Sequence, residues 1–351
     1  MTMNARGYAA LSASTPLVPF RFERRDPRPD DVHIEILYCG VCHSDIHTVR
    51  DDWGPAAYPV VPGHEIIGRV VGVGSAVTRF RTGDRVGVGC LVDSCRACAP
   101  CDRGLEQYCA NGPTWTYNSR DRHDQQPTQG GYSDRIVVSD RFVLKVPDGL
   151  DLRGAAPLLC AGITLWSPLR HWKAGSGMQV AIVGLGGLGH MGLKLAKALG
   201  AEATLFTRSP GKEADARRLG AKHVVLSTDA AAMKAVRGRF DLIVDTVPNA
   251  HDLNPYVPTL ALDGSLVLVG YLGRLEPVLN SVPLIGGRRS VAGSVIGGLP
   301  ETQEVLDFCG AHGITADVEV IRMAQINDAY ERMIRSDVKY RFVIDMATLD
   351  A

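Results

Sequence analysis

MQVAIVGLGGLGHMGLKLAKALG (residues 178–200) contains a strand, a glycine-rich turn and a helix in succession. MQVAIVG predicts a buried strand, and GLGHMGLKLAKALG has its apolar residues at helical spacing. The turn reads Gly184-Leu185-Gly186-Gly187-Leu188-Gly189, which is the pattern of a dinucleotide-binding turn when it lies between a strand and a helix. The first glycine permits the tight turn, the second admits a pyrophosphate, and the third packs helix on strand. The free N–H groups of the helix N-terminus then face the anion.

Strands and helices continue to alternate after this turn. The pattern ATLFT, KEADARRLG, HVVL, FDLIVDT and GSLVLVG (residues 203–270) is typical of a doubly wound parallel sheet. The first 150 residues differ, because they contain short Val- and Ile-rich segments bounded by Gly, Pro and Asp: VHIEILY, IIGRVVGVG, DRVGVG and SDRIVVS. They predict an antiparallel, Greek-key barrel. Residues 118–130 form one long polar loop, and residues after 295 predict two helices and a closing strand.

A two-domain α/β protein follows from this division. We expect a β-barrel catalytic domain over residues 1–162 and 295–351, and a Rossmann domain over residues 163–294. A length of 351 residues accommodates two domains of ordinary size.

A second motif is the run SCRACAPCDRGLEQYC, which holds Cys95, Cys98, Cys101 and Cys109. This spacing lets one loop surround a single ion with four thiolates, which is typical of a structural zinc site. A four-sulfur shell leaves no position open for chemistry. An iron–sulfur cluster is an alternative, although the common C-x3-C-P ending is absent.

The composition excludes several classes of function. Lys+Arg and Asp+Glu are equal at 38 each, so no global charge favours nucleic acid or a membrane. No apolar stretch has the length of a transmembrane helix. Nine cysteines and no export signal predict a reducing, cytoplasmic location rather than disulfides.

The residues after the second strand of the nucleotide domain predict the type of cofactor. An acidic residue there would bind the ribose 2′-hydroxyl of NAD. This chain has Thr207, Arg208 and Ser209 instead, followed by Lys212. Cations and hydroxyls suit a 2′-phosphate, so the sequence predicts NADP(H) rather than NAD(H).

Three segments offer ligands for an open metal site. CGVCHSDIH contains Cys42, GHE contains His64 and Glu65, and CAGIT begins at Cys160. Each alone is weak, since a single cysteine or histidine is more often a packing or surface residue.

Taken together, these motifs resemble those of a known family. The segments that carry the resemblance are CGVCHSDIH, YPVVPGHEIIGRVVGVG, the four-cysteine run, GGYSDRIVV, LLCAGITLWSPL, VGLGGLGHMGLKLAKALGA, GSVIGGLPETQEVLDFC and VKYRFVID. They resemble the zinc-dependent medium-chain alcohol dehydrogenases, most closely the cinnamyl alcohol dehydrogenase-like, NADPH-dependent aldehyde reductases of bacteria. The resemblance implies that the barrel is GroES-like.

The resemblance also implies roles for individual residues. Cys42, His64 and Cys160 would bind a catalytic zinc ion, with Glu65 as an exchangeable ligand or neighbour. Asp45 would orient His64. Ser44 would hydrogen-bond the alcohol, and His47 would be the outer end of a proton relay through the nicotinamide ribose. Thr164, Val247, Ser294 and Ile296 would lie along the nicotinamide, and Arg341 would approach the pyrophosphate. Cys39 and Cys90 match no ligand position and would be packing residues.

Zinc chemistry agrees with these roles, because zinc polarises a carbonyl and the nicotinamide carries the electrons. Trp53, Trp115, Tyr117 and Ile296 are expected to line an apolar substrate pocket, with Leu299 close behind.

We therefore expect two zinc ions and NADP(H) in a homodimer that reduces aldehydes reversibly to primary alcohols. The alternatives are a dedicated NADP-dependent cinnamyl or benzyl alcohol dehydrogenase, a related reductase of activated C=C bonds, and a non-catalytic nucleotide-binding protein on the same fold. The expected partner is a small molecule, with neither nucleic acid nor membrane.

Overall fold

A computed structural model describes residues 3–270 and 273–349. The strands are β1 Met3–Ala9, β2 Val18–Arg24, β3 Asp31–Val41, β4 Ile66–Val73, β5 Arg85–Val88, β6 Leu91–Asp93, β7 Thr114–Trp115, β8 Arg135–Ser139, β9 Leu144–Lys145, β10 Gln179–Val183, β11 Glu202–Thr207, β12 His223–Leu226, β13 Phe240–Asp245, β14 Leu260–Leu268, β15 Ser290–Gly293, β16 Val318–Arg322 and β17 Arg341–Asp345.

The α-helices are α1 His43–Val49, α2 Ala99–Asp102, α3 Leu152–Ala155, α4 Ala161–His171, α5 Gly189–Ala198, α6 Glu213–Leu219, α7 Ala230–Ala235, α8 Val282–Ile285, α9 Leu299–His312 and α10 Ile326–Ile334. Short 3₁₀ helices lie at Glu106–Tyr108, Asp140–Phe142, Ala156–Leu159, Pro210–Lys212, Val257–Thr259, Met323–Gln325 and Met346–Thr348. Across the described ranges, none of the helices has both the length and the apolar content that a membrane span requires.

The chain divides into two compact units. The first extends to Cys160 and resumes at Gly297, and the second covers Ala161–Ile296. Each break therefore lies two residues from the predicted positions at 162/163 and 294/295.

The first unit is built on a mostly antiparallel sheet. Its strand order is β16-β17-β3-β4-β5-β9, and β8 also pairs with β3. β3 lies at the centre of the sheet because it pairs with both β4 and β8. Its apolar side chains alternate toward the core. Its last residues, which lead into CGVCHS, pair with β17, so that Val41 lies opposite Phe342. In this unit the sequence did not predict β1, β2, β6, β7, β9, β16, α1, α2 or α3.

The second unit is a six-stranded parallel sheet of order β12-β11-β10-β13-β14-β15. Its core contains Phe206, whose ring packs edge-to-face on Phe240 and Tyr256 at centroid distances of 5.2 and 5.4 Å. The strand order reverses between β10 and β13. In open parallel sheets, ligands bind outside the carboxyl ends of the strands at such a reversal.

Candidate active site and nucleotide turn

Four buried side chains form a group that could hold a metal ion in the first unit. Ligand atoms of Cys42, His64, Glu65 and Cys160 all lie within 4.8 Å of one another. The sulfur atoms of Cys42 and Cys160 are 3.9 Å apart. Glu65 Oε2 is buried and has no hydrogen-bond partner among the described residues. Two thiols, an imidazole and a carboxylate oxygen form a donor set that fits zinc.

The pKa shifts of the two thiols also favour a metal site. A hydrogen bond from Cys160 lowers the pKa of Cys42 well below its ordinary value, and that same contact raises the pKa of Cys160. The contact therefore favours the thiolate form of Cys42 and the thiol form of Cys160. A bound cation would displace the remaining proton, because the thiolate is the form that binds metal.

Asp45 fixes the orientation of His64. This fully buried carboxylate accepts hydrogen bonds from His64 Nδ1 at 3.1 Å and from the Gly63 backbone N–H at 3.1 Å. Its other oxygen accepts from the Cys42 backbone N–H at 2.9 Å and from the Tyr132 hydroxyl at 3.0 Å. Because Nδ1 donates to Asp45, Nε2 of His64 is left as the metal-binding atom.

Glu65 pairs with Arg341, the residue that the family resemblance places near the pyrophosphate. Arg341 Nη2 donates to Glu65 Oε1, and their side chains are 4% and 0% exposed. Burial raises the pKa of Glu65 to about 8, against the opposing charge of Arg341. The space for Glu65 depends on Gly40, since a Cβ there would lie 1.9 Å from Glu65 Oε2.

Ser44 and His47 occupy the same face of α1, three residues apart. Ser44 Oγ lies 3.5 Å from Cys42 Sγ. His47 Nδ1 contacts Asp52 Oδ2 at 2.8 Å, and its ring stacks on Trp53 at 5.0 Å. The contact with Asp52 leaves Nε2 of His47 free to exchange a proton.

The four-cysteine run forms a second possible metal site. Ligand atoms of Cys95, Cys98, Cys101 and Cys109 lie within 4.8 Å of one another. Backbone N–H groups of Cys95 and Ala110 donate to sulfurs of Cys109 and Cys98, each at 3.3 Å. A backbone hydrogen bond from Ala97 lowers the pKa of Cys95 to about 6, while burial raises that of Cys101 to about 11. The sulfurs carry no disulfide, and four thiols fit a closed zinc shell.

In the second unit, three glycines of the nucleotide turn have different requirements. Gly184 directly follows β10 and has a φ of +90°. A Cβ at Gly189 would lie 2.0 Å from the Gly184 carbonyl oxygen, so only glycine packs there. A Cβ at Gly186 would meet nothing within 4 Å. Space that the protein itself does not fill suits the close approach of a pyrophosphate.

The residues after β11 carry positive charge and hydroxyls. Thr207 is buried at the strand end, where its Oγ1 accepts the Ser209 N–H at 3.1 Å, and Arg208 is exposed. Lys212 Nζ donates to the Leu185 carbonyl of the glycine-rich turn at 2.9 Å. Burial lowers the pKa of Lys212. Two of its three N–H groups remain for a phosphate.

The remaining predicted residues lie in different surroundings. Tyr117 is buried and stacks on His64 at 5.8 Å, whereas Trp115 is 37% exposed on β7. Ile296 has φ of 36°, a strained conformation for a β-branched residue. Thr164 is buried on α4, Val247 follows β13, Ser294 follows β15, and Leu299 begins α9.

A separate cavity of 710 Å³ lies in the first unit. None of the predicted site residues that the structure describes lines it.

The sequence did not predict two residues that hydrogen-bond to the site. Tyr132, within GGYSDRIVV, donates to Asp45, and Asp52, five residues after His47, holds that imidazole. Cys39 is fully buried, and burial raises its pKa, as expected of a packing thiol. Cys90 is half-buried, its Sγ contacts the Leu159 carbonyl oxygen at 3.8 Å, and a hydrogen bond from Cys160 lowers its pKa.

Comparisons with known proteins agree with this arrangement. Residues 28–148 match the alcohol dehydrogenase GroES-like domain, and residues 187–311 match the zinc-binding dehydrogenase domain. The NADP-dependent alcohol dehydrogenase C of Mycobacterium bovis is 56% identical over 97% of this chain and 98% of its own. The aldehyde reductase YahK of Escherichia coli is 53% identical, with 99% of each chain covered. The structure of a cinnamyl alcohol dehydrogenase from Sorghum bicolor superposes with a TM-score of 0.95 and 47% identity, and 98% of each chain is covered.

The predicted fold class, a GroES-like domain plus a Rossmann-type domain, is confirmed by these matches. Sequence identities of 56% and 53% to these two relatives, over 97% and 99% of this chain, also confirm the predicted family. The chain therefore belongs to the zinc-dependent medium-chain alcohol dehydrogenase family and is an oxidoreductase.

Proposed function

We propose that this chain reduces aldehydes to primary alcohols with NADPH, and runs the reverse oxidation on the same site. The observation that carries the proposal is the buried group of Cys42, His64, Glu65 and Cys160 beside Ser44. The relatives named for NADP-dependent alcohol dehydrogenation and aldehyde reduction support the reaction and the cofactor. Arg208 and Lys212 favour NADPH because their cations suit a 2′-phosphate.

Two metal ions and a nucleotide complete the proposed enzyme. Cys42, His64 and Cys160, with Glu65 in reach, would hold a zinc ion that supplies Lewis acidity toward a carbonyl oxygen. NADPH would supply the hydride. Cys95, Cys98, Cys101 and Cys109 would hold a zinc ion that only stabilises their loop.

The chain's own residues handle the proton and the metal ligand geometry. Asp45 keeps the Nδ1–H tautomer of His64, which leaves Nε2 as the nitrogen available to a metal ion. Ser44 Oγ–H would donate a proton to the substrate oxygen during reduction. His47, held at Nδ1 by Asp52, would exchange the replacement proton with solvent at Nε2. Thr164, Val247, Ser294 and Ile296 are proposed nicotinamide contacts, and Trp53, Trp115 and Tyr117 are proposed pocket walls.

Steady-state reduction of benzaldehyde tests this proposal, with NADPH and NADH compared before and after zinc removal. We expect turnover with NADPH that is lost with zinc and restored by its addition. Ser44→Ala should lower kcat by about 10²–10⁴-fold at unchanged zinc content. Arg50→Ala, at the residue that follows the same helix, is the control, since its side chain is exposed and pairs with Glu331. Full activity of Ser44→Ala would contradict the proposed proton donor.

A dedicated cinnamyl or benzyl alcohol dehydrogenase is the second candidate. The similarity to the Sorghum bicolor enzyme and the stacking of Tyr117 on His64 favour it. The two candidates differ in selectivity. A broad reductase should give kcat/KM for an aliphatic aldehyde within about tenfold of cinnamaldehyde, whereas a dedicated enzyme should discriminate by about 10–200-fold or more.

A homodimer joined at the sheet edge is part of the proposal. β15 ends the six-stranded sheet, and within the described ranges it pairs with β14 alone. Next to it in the chain, Val278, Val282 and Ile285 are 87%, 70% and 78% exposed. An open strand edge beside apolar side chains suits a second copy of this chain. Light scattering should give a dimer for the wild type and a monomer for Ile285→Lys; a wild-type monomer would contradict it.

We also place the enzyme in the cytoplasm. All nine cysteines are free, and two zinc sites that depend on thiolates require a reducing compartment. Cell fractionation tests this location, and recovery of the protein from an oxidising compartment would contradict it.

A further inference from the structure

The histidine that follows β13 has an arrangement that the proposed chemistry does not use. His251 Nε2 lies 2.9 Å from Asp245 Oδ2, and its Nδ1 lies 2.9 Å from the Asn249 carbonyl oxygen. A carboxylate and a carbonyl can only accept hydrogen bonds. Both ring nitrogens must therefore donate, which requires the doubly protonated imidazolium form.

Asp245 connects this histidine to the end of the central strand. The carboxylate is fully buried, and its second oxygen accepts the Val247 N–H at 3.0 Å. The neighbouring Thr246 hydroxyl donates to the carbonyl of Val183, the last residue of β10, at 2.7 Å. A Cβ built at Gly184 would lie 3.2 Å from atoms of both Thr246 and Val247. The segment 246–251 therefore packs directly on the glycine-rich turn.

The charges around His251 set the sign of any pH dependence. Asp245 raises the pKa of His251, the Asn249 carbonyl adds to this, and Arg208 opposes it. Tyr256 packs its ring on His251 at 6.1 Å, and burial raises its pKa above the ordinary value, so it titrates later. Asp252 follows His251 directly in the sequence. A raised pKa in the fold means that the pair stabilises the loop at low pH and loses this effect as pH rises through the pKa of His251.

We propose that His251 is a positioning residue for the nucleotide: as an imidazolium clamped between Asp245 and Asn249, it holds the 246–251 segment against the phosphate-binding turn. The inference rests on the proposed use of NADPH. It predicts that residues 246–251 are held rigidly at low pH and become more mobile at high pH. Cofactor affinity should follow that change, whereas the proton transfer at Ser44 is carried out by other residues.

Two measurements test the inference, with His251→Ala, His251→Gln and the control His223→Gln. His223 lies on β12, and no hydrogen bond joins it to the turn among the described residues. Amide hydrogen exchange of residues 246–251 in the nucleotide-free protein reports the clamp itself. NADPH fluorescence titration over roughly pH 6 to 9 reports its consequence.

We expect His251→Ala to expose the 246–251 amides and to weaken NADPH binding about tenfold at the acid end of the range. His251→Gln should keep one bond to Asp245, bind with intermediate affinity, and lose the pH dependence that the wild type and His223→Gln show. Unchanged exchange in His251→Ala, or a wild-type pH profile in His251→Gln, would overturn the inference. A wild type that binds no NADPH would refute the proposed function, while the exchange measurement would still decide the clamp.

Discussion

Replacing Asp45 by Asn tests the buried centre of the site most sharply. The carboxylate accepts four hydrogen bonds, from His64, Gly63, Cys42 and Tyr132. Asn keeps one acceptor oxygen for two donors and turns an NH₂ group toward the other two. Two of the four bonds, one of them from a backbone N–H, are then lost, and the other two lose their charge. Hydrogen bonds to charged groups contribute about 1.5–3 kcal/mol each, so we expect a total loss of about 3–6 kcal/mol.

This loss should divide between metal affinity and folding stability. A partner that orients a metal-binding histidine typically changes affinity by about 10–100-fold. We therefore expect Asp45→Asn to lose the zinc ion of the Cys42 group to a competing chelator about 10–100-fold more readily. The ion of the four-cysteine group should remain. Elemental analysis across a chelator titration, together with denaturant unfolding, measures both parts.

Asp52→Asn is the matched control, because Asp52 is 48% exposed and its carboxylate contacts His47 instead of a proposed zinc ligand. It should retain both metal ions and unfold like the wild type. If Asp45→Asn resists the chelator as well as Asp52→Asn does, the assigned role of Asp45 is wrong.

Four further perturbations have distinct expected outcomes. Arg208→Ala should lower the kcat/KM preference for NADPH over NADH by about 10–100-fold, from loss of a charge-assisted hydrogen bond; an unchanged ratio would exclude this residue from cofactor selection. Gly189→Ala should destabilise the fold by about 1–3 kcal/mol in denaturant melts, because its Cβ would strike the Gly184 carbonyl. Gly186→Ala should unfold within about 1 kcal/mol of the wild type yet bind NADPH poorly; normal binding would show that the space is not used by the cofactor. Cys101→Ser should remove one zinc ion and lower the melting temperature, and a chain that keeps both ions would contradict a four-sulfur site.

The local motifs of this chain could be predicted from sequence because their chemistry lies within a few residues. The glycine-rich turn places Gly184, Gly186 and Gly189 within one strand–turn–helix unit. The four cysteines lie within fifteen residues on one loop, and their sulfurs converge as the spacing indicates. In such segments, backbone geometry and ligand chemistry are set by neighbouring residues alone.

The buried group required long-range information. Cys42, His64 and Cys160 come from three distant segments, and resemblance to a family rather than residue spacing brought them together. The contact of Arg341 with Glu65 depends on β17 pairing with the end of β3, which no local pattern specifies. The hydroxyl of Tyr132 reaches Asp45 across 87 residues of sequence for the same reason. β16 was missed because it is only five residues long and pairs in parallel with β17, beyond an intervening helix.

The most direct test of the account is zinc-dependent reduction of benzaldehyde by the purified enzyme, followed through the absorbance of NADPH. NADPH should be oxidised much faster than NADH, the rate should fall when zinc is stripped, and added zinc should restore it. An NADPH-binding, zinc-loaded protein that turns over no aldehyde would contradict the proposed reaction. Full activity after complete zinc removal would contradict the role assigned to Cys42, His64 and Cys160.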